Sequence, residues 1–439
     1  MNVILIVTDT WRRDHMGCYG NLHIRTPHLD ELAKRSAVFD NAWCGSYTTL
    51  PHRNDVVTGR YDFPWRGWSG PGAGERTLPG LLGRAGKSSF LITDTYHHWG
   101  KGASTFWWDF TGFEFIRGQE RDPWISDTDM RVKFPAPEYK ETGSITPHLR
   151  MMRTRSREED WSAAQVFLRA TYWFHHNTHL KDSFLMVDAF DPHEPWDPPR
   201  KYSRVFEEAD FEGDEYISPS SRPLAGYMSE AEFRHVKALY AGEISLVDRW
   251  IGHLIKQVRN KGALENTLIV VTSNGGVLLG EHGLVGKEHM LYQDLARVPL
   301  IVWHPTLAHG RRIDQLVQPV DILPTVLEAA GIEPPADLHG RSLLPLLGET
   351  PPKPAWRQTA LIGWHGKWCN LTDGRYILHC SLESGAKLLF DTQRDPDESK
   401  DLAMTDGAQL QRMEELLAAR LREIQAPATL AQRLALKAQ

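Results

Sequence analysis

Short apolar runs rich in β-branched residues alternate along this chain with longer segments of helical periodicity, and this alternation limits the fold more than any other feature. One such run opens the sequence at Val3–Val7, and another stands at Thr267–Val271. Strands that alternate with helices are typical of a sheet covered by helices on both faces. The sequence therefore predicts an α/β fold.

The same pattern gives approximate element positions. Strands are predicted at 2–8, 88–93, 183–189, 267–273 and 298–303. Helices are predicted at 28–36, 77–85, 160–176, 229–260, 320–330 and about 406–424. The proline-rich segment 348–356 marks a boundary, because proline interrupts regular structure. We expect a main domain over 1–347 and a smaller C-terminal subdomain over 357–439, with antiparallel strands and a terminal helix.

Composition restricts the partners. Hydrophobic residues at 41% and charged residues at 24% are ordinary for a globular protein. A net charge of −6 argues against nucleic acid and anionic membranes as partners. No signal peptide and no apolar run long enough to span a membrane is visible, so we expect a cytoplasmic protein. The four cysteines show no CxxC spacing and are expected to be reduced there.

Polar residues follow several predicted strands at their carboxyl ends, where α/β proteins collect ligands. Asp9, after the first strand, can reach a metal or substrate, although a turn or a helix cap explains it as well. After the strand at 267–273 the chain reads TSNGG, with Asn274 and two glycines. A metal-dependent enzyme would place an acid or a histidine there. The segment is either an altered catalytic strand end or a loop without catalytic function.

The segment CGSYTTLPHRNDVVTGRY offers hydroxyl groups at a predicted helix start, with Pro51 in the first turn. A hydroxyl such as that of Thr49 would lie among free N–H groups that favour an oxyanion. Arg53, one turn later, could bind a phosphate or sulfate with two hydrogen bonds. A capped helix without catalytic function is the commoner explanation of such a pattern.

The segment DAFDPHEPWDPPR, at residues 188–200, follows another predicted strand. Its prolines hold the loop extended and present His193 rigidly, which suits leaving-group protonation or metal binding. An exposed loop histidine is the alternative. Lys287, in VGKEHM, could neutralise an anionic group or be an ordinary surface lysine.

Taken in order, these segments resemble the sulfatase branch of the alkaline phosphatase superfamily. The segments that carry the resemblance are DTWRRDHMGCYG, TPHLDELAKRSAVFDNAW, TLPHRNDVVTGRY, DPHEPWDPP, GEHGLVGKEHMLYQDLARVPLIVWHP, VQPVDILPTVLEAAGIEPPADLHGRSLLPLL and LLFDTQRDPDESKDLA. The resemblance implies an alkaline phosphatase-like sandwich, in which a large, mixed and mostly parallel sheet is flanked by helices. A small C-terminal subdomain with an antiparallel sheet completes it.

The family transfers or hydrolyses sulfate and phosphate esters with a nucleophile bound to a divalent cation. The resemblance implies Thr49 as the nucleophile and Arg53 as its support. It implies that His193 and Lys287 contact the transferred group or the leaving oxygen. Further candidates for substrate binding are His52, His97, His98 and His289.

The sequence departs from the family at the nucleophile. True sulfatases carry the Cys or Ser of a C/S-x-P-x-R motif, which is matured to formylglycine, where this chain has Thr49. We therefore expect no formylglycine, although threonine is the nucleophile in related phosphodiesterase, phosphonoacetate hydrolase and phosphoethanolamine transferase branches. Thr10 replaces the second acid of the usual Asp-Asp pair. The lysine of the usual Lys-Trp-His segment is missing from TDTYHHWG.

The metal site departs further. The family expects TSDHG where this chain has TSNGG, so that Asn274 and Gly275 replace an aspartate and a histidine. The resemblance leaves Asp9 and Asn274 as ligands of a weak or empty site for Mn²⁺, Ca²⁺ or Mg²⁺, because oxygen sites depend on ligand charge and number. The double change Asn274→Asp and Gly275→His is expected to restore ligands on a strand end already shaped for them. Replacement ligands could come from Asp188, Asp191, His193, His282 and His289.

Three functions remain open. The first is a hydrolase of a sulfate, phosphate or phosphonate ester with Thr49 as nucleophile. The second is a lyase or decarboxylase that binds an anionic substrate without the metal. The third is a non-catalytic protein that binds an anion, because fold alone does not fix function. Each implies a small anionic ligand, and a homo-oligomer is compatible with all three.

Thr49 is expected to be present as unmodified threonine, because the formylglycine route starts from cysteine or serine. Mass spectrometry of a peptide that contains residues 37–53 checks this. An aldehyde mass at position 49 would refute the expectation.

Overall fold

The structure is a computed structural model, and it describes residues 1–100, 102–137, 145–207, 211–307, 310–348 and 356–436. The predicted boundary segment 348–356 lies largely outside these residues.

Sixteen strands are found in the described residues. They are β1 (Asn2–Thr8), β2 (Ala37–Ala42), β3 (Ser46–Tyr47), β4 (Ser89–Thr93), β5 (Gly112–Phe115), β6 (Phe184–Ala189), β7 (Arg222–Pro223), β8 (Thr267–Ser273), β9 (Leu278–Leu279), β10 (Leu284–Gly286), β11 (Leu300–Trp303), β12 (Arg311–Val317), β13 (Ala360–Trp364), β14 (Trp368–Thr372), β15 (Tyr376–Ser381) and β16 (Lys387–Asp391).

Twelve α-helices accompany these strands in the same part of the chain. They are α1 (Pro27–Ala33), α2 (Thr49–Thr58), α3 (Leu78–Arg84), α4 (Thr146–Met152), α5 (Ser162–His176), α6 (Arg200–Ser203), α7 (Glu230–Asn260), α8 (Gln293–Ala296), α9 (Ile322–Ala329), α10 (Leu344–Leu347), α11 (Gly407–Glu423) and α12 (Ala428–Arg433).

The main sheet has eight strands in the order β12-β2-β11-β8-β1-β6-β4-β5. β1 pairs in parallel with β6 and β8, whereas β11 is antiparallel to both of its neighbours. The sheet is therefore mixed and mostly parallel, which confirms the predicted fold class.

Helices cover both faces of this sheet. Successive side chains of a strand point to opposite faces, so a central strand contacts both layers of helices. In β1, Ile4 and Ile6 enter one apolar cluster with residues of α1, α5 and α7. Val3, Leu5 and Val7 enter a second cluster with residues of α2, α3 and α9. The continuous apolar run that opens the sequence is thus a strand buried on both faces.

Parallel pairing brings three strand ends to one edge of the sheet. Thr8 in β1 is in register with Ala189 in β6 and with Ser273 in β8. The residues that follow β1 and β8, Asp9 and Asn274, therefore lie side by side. This edge is where the polar residues of the motifs meet.

A second sheet has the order β16-β15-β14-β13-β3 and is antiparallel except where β13 pairs with β3. Residues of α11 share an apolar cluster with β14 and β15. The predicted small C-terminal sheet and terminal helix are therefore present. Its fifth strand, β3, directly precedes α2, so the small sheet also supports the helix that carries Thr49.

The prediction from the sequence pattern omitted three strands of the main sheet. β2, β5 and β12 were not predicted, and β12 shows why: it begins with Arg311 and Arg312, and as an edge strand it buries only three of its seven side chains. Such a strand lacks the apolar run that marks a central one. Among the described helices, none combines the length and the apolar character that crossing a membrane requires.

Candidate active site

The carboxyl end of β1 places Asp9 and Thr10 at the floor of the candidate site, where each is about 1% exposed. Asp9 Oδ1 accepts a hydrogen bond from the Thr10 hydroxyl at 2.8 Å. Asp9 Oδ2 accepts another from Arg53 Nη1 at 2.8 Å. Both carboxylate oxygens are thus bonded to protein groups.

Arg53 joins Asp9 to Asp188 of β6. Its fully buried guanidinium donates to Asp188 Oδ1 from Nη2 at 2.8 Å and from Nε at 3.1 Å. Asp188 Oδ2 lies 2.7 Å from His98 Nε2 and accepts from the Thr93 hydroxyl at 3.2 Å. The buried arginine and its two carboxylates are therefore hydrogen-bonded on all sides, as buried ions must be.

The charges of these groups support one another. Burial alone would raise the pKa of Asp9, but Arg53, the largest of the opposing influences, holds it well below its usual value. Burial acts in the same direction on Asp188, and there Arg53 leads the groups that lower the pKa to about 2. Both aspartates are thus anionic at neutral pH.

Thr49 is the first residue of α2, a helix whose ten residues are all buried. Pro51 fits in the first turn because the first N–H groups of a helix have no partner within it. The helix ends at Thr58 and is capped by Gly59, where a φ of 65° suits glycine. Thr49 lines the cavity described below, beside N–H groups that favour an anion.

Lys287 lies against three groups at the cavity wall. Its Nζ is 2.5 Å from His193 Nε2, 2.9 Å from Glu194 Oε2 and 3.3 Å from Thr10 Oγ1. His193 Nδ1 lies 2.5 Å from the backbone oxygen of Glu194, so this nitrogen carries a proton. Nε2 is then free to accept from the Lys287 ammonium. Burial lowers the pKa of His193, which keeps the imidazole neutral at neutral pH.

At the end of β8, Asn274 contacts the turn that follows β1. Its side-chain Oδ1 accepts a hydrogen bond from the Thr10 N–H at 2.8 Å. Its own N–H reaches the Thr8 carbonyl oxygen at 3.3 Å. Asn274 therefore binds β1 to β8 beyond the last regular strand pair.

Gly275 lies in a crowded position. A Cβ atom there would stand 2.9 Å from the backbone oxygen of Leu295 and 2.9 Å from the ring of Tyr47. Backbone atoms cannot move aside as flexible side chains do. The expectation that this strand end is already shaped for Gly275→His is therefore wrong, because Tyr47 and Leu295 take up the space.

One cavity of about 920 Å³ collects most of the predicted residues. Those on its wall are Asp9, Thr49, His97, His193, Asn274 and Lys287. Arg53 lies directly beneath, bonded to Asp9. The structure thus brings together residues of six separate sequence segments.

Three of the four histidines predicted to bind substrate lie outside this cavity, so the prediction is corrected for them. His52 is fully buried in α2, and His98 is fully buried against Asp188. His289 Nε2 contacts the backbone oxygen of Val285 at 2.9 Å. His97 alone of the four predicted histidines lines the cavity, where its Nε2 lies 3.2 Å from Glu120 Oε2.

The strand-end residues do not fit a divalent cation. The Asp9 oxygens and Asn274 Oδ1 are bonded to Arg53 and Thr10, and Gly275 has no side chain. Within the residues that the structure describes, no group of three or more His, Cys, Asp or Glu side chains is arranged to hold a metal ion. Hard cations need several oxygen ligands at once.

The proposed replacement ligands also have other partners. Asp188 is bonded to Arg53, and Asp191 Oδ2 accepts the Ala163 N–H at 3.2 Å. His282 stacks on Tyr292 with ring centroids 3.6 Å apart. A weak or empty family metal site stays a prediction from these residues.

The sequence did not mark several residues that line the cavity. These are Tyr47, Trp68, Tyr96, Glu120, Arg121, Glu194, Glu288 and Trp364. Glu194 adjoins His193 in the proline-rich loop and could have been inferred from it. Glu120 and Arg121 belong to no strand end or motif, so only the fold reveals them.

Comparison with known proteins gives the family. A family model for sulfatases matches residues 1–332, and a model for the C-terminal part of N-sulphoglucosamine sulphohydrolase matches residues 280–427. Since the first match covers well over half of the chain, the chain belongs to the sulfatase family of the alkaline phosphatase superfamily.

Individual relatives agree. N-acetylglucosamine-6-O-sulfatase of Bacteroides thetaiotaomicron is 25% identical over 419 residues, covering 82% of this chain and 73% of that protein. Human arylsulfatase K is 25% identical over 449 residues, covering 92% and 79%. The structure of phosphonate monoester hydrolase from Agrobacterium radiobacter has a TM-score of 0.76 and 21% identity, covering 96% of each chain. At 21% identity, this structural likeness shows the fold alone.

Arg53→Met is expected to lower the free energy of unfolding at pH 7 by about 3–5 kcal/mol, because it leaves two buried carboxylates without their cation. The loss should narrow as the pH falls from 7 towards 4, since the variant's buried carboxyl groups then take up protons. In the parent, Asp188 has a lowered pKa and stays ionised, so its ion pair with Arg53 continues to stabilise the folded state until the pH falls towards 2. Urea unfolding at several pH values measures both effects.

Arg76→Met is the matched control. Arg76 pairs with Asp337 at the surface and is 50% exposed, so its loss should cost no more than about 1 kcal/mol. Equal losses in the two variants at pH 7 would contradict a central role of the buried arginine.

Proposed function

We propose that the protein hydrolyses a sulfate, phosphate or phosphonate ester of a small anionic substrate, with Thr49 as the nucleophile. The observation that carries the proposal is that Thr49 shares one cavity with Lys287 and His193, above the Asp9–Arg53 pair. The names of relatives support the class of substrate, since they include sulfatases and phosphonate monoester hydrolases.

The cavity can bind an anionic group without an added cation. Lys287 places its ammonium at the wall, and α2 begins there with free N–H groups. Charged donors in a partly closed site bind an oxyanion more strongly than they would in water. Arg121 and His97, on the same cavity, could contact the remainder of an anionic substrate.

In the proposed reaction, Thr49 Oγ1 forms a bond to sulfur or phosphorus while the bond to the ester oxygen breaks. The leaving oxygen takes a proton from Lys287, which is hydrogen-bonded to His193. The proton released by Thr49 returns to Lys287 and His193. Water then cleaves the threonine ester, which restores the Thr49 hydroxyl and releases sulfate, phosphate or phosphonate. The neutral imidazole of His193 can hold a proton between the two steps.

Binding of an anion without turnover is the second candidate. It is favoured by the floor of the site, where Asp9 and Asn274 are bonded to protein groups rather than arranged around a cation. Under this alternative Lys287 and the start of α2 would still bind sulfate or phosphate.

Thr49→Val is expected to lower kcat at least about 1,000-fold, because it removes the nucleophile and keeps the shape of the side chain. Thr49→Ser should keep measurable activity. Aryl sulfate, phosphodiester and phosphonate esters provide the assay, and calorimetric titration with sulfate and phosphate follows binding. Full activity of Thr49→Val would refute the nucleophile, whereas parent protein that binds these anions but cleaves no ester would favour the second candidate.

A further inference from the structure

Thr10 has an unusual backbone conformation. Its φ is 61°, in the left-handed region that β-branched residues rarely adopt. The residue is about 1% exposed and lies at the floor of the cavity. Strained conformations of this kind persist only where the surroundings hold them.

Two side chains bind the peptide groups of Thr10. Asn274 Oδ1 accepts the Thr10 N–H at 2.8 Å, and the Tyr240 hydroxyl donates to the Thr10 carbonyl oxygen at 2.7 Å. The next residues are fixed as well, since the Arg12 N–H donates to the Tyr240 hydroxyl at 2.9 Å and the Trp11 N–H donates to Ser273 Oγ at 3.0 Å. The turn after β1 is thus clamped from α7 and from β8.

The conformation determines where the Thr10 hydroxyl lies. It donates to Asp9 Oδ1 at 2.8 Å and accepts from Lys287 Nζ at 3.3 Å. It therefore connects the buried carboxylate to the ammonium at the cavity wall. A shift of φ to an ordinary negative value would turn this side chain away from at least one of the two.

We propose that Asn274 is a positioning residue, which holds Thr10 in the left-handed conformation and thereby fixes the Lys287 ammonium against the reacting ester. The effect on catalysis depends on the proposed function, whereas the effect on the Thr10 backbone does not.

The chemistry of an amide suits this task. An aspartate at position 274 could accept the same N–H, but it would place a second carboxylate beside Asp9, where the cations present are already shared. Asparagine accepts the hydrogen bond without adding charge. This explains why a strand end without an acid can still serve the site.

The test compares Asn274→Ala with two other variants by crystallography and by kinetics. In Asn274→Ala, φ of Thr10 should leave the left-handed region, and the Thr10 hydroxyl should lose its hydrogen bond to Asp9 or to Lys287. In Asn274→Asp, which keeps an acceptor, and in Tyr240→Phe, which removes only the contact to the carbonyl, φ of Thr10 should stay positive. A positive φ in Asn274→Ala, or an equal shift in Tyr240→Phe, would overturn the proposal.

The kinetic arm tests whether Asn274 acts through Thr10. Asn274→Ala and Thr10→Gly should each lower kcat about tenfold or more and change KM less. The double variant should be no slower than Thr10→Gly alone, because glycine has no hydroxyl to position. Additive losses would overturn the proposal. A parent protein that hydrolyses no ester would count against the proposed function. The crystallographic measurement needs no turnover, so φ of Thr10 would still decide whether Asn274 positions this residue.

Discussion

The salt bridges of Arg53 to Asp9 and Asp188 are the contacts on which the site depends most. They join α2 to the ends of β1 and β6, and all three side chains are almost fully buried. A buried carboxylate is stable only with a partner that compensates its lost hydration. The same guanidinium therefore fixes the helix that carries Thr49 and keeps Asp9 anionic below the cavity.

From this base the polar groups form a connected series. Asp9 accepts from Thr10, Thr10 accepts from Lys287, and Lys287 contacts His193. Each of these groups has a protein partner, and Lys287 and the start of α2 lie on the wall of the cavity, where the proposed anion would bind. In this account the protein itself provides the positive charge that the ester requires, and Asn274 serves the backbone of Thr10.

Much of the fold could be predicted from the sequence, because β1 and β8 are apolar runs whose burial on both faces leaves a clear pattern. The resemblance placed Asp9 and Asn274 at one site, and the parallel pairing of β1 with β8 brings them side by side. The roles of His52 and His98 could not be predicted, since a histidine in a motif looks the same whether it faces a cavity or the core. The conflict between Gly275→His and Tyr47 arises from residues far apart in sequence, which no local pattern records.

The central claim is that the residues at the strand ends bind one another and do not form a site for a divalent cation. Calorimetric titration of chelator-treated protein with Mn²⁺, Ca²⁺ and Mg²⁺, beside Asp9→Asn, tests it most directly. The account predicts that neither protein binds a stoichiometric ion tightly, because Asp9 already has Arg53 and Thr10 as partners. Tight one-to-one binding to the parent that Asp9→Asn abolishes would contradict it.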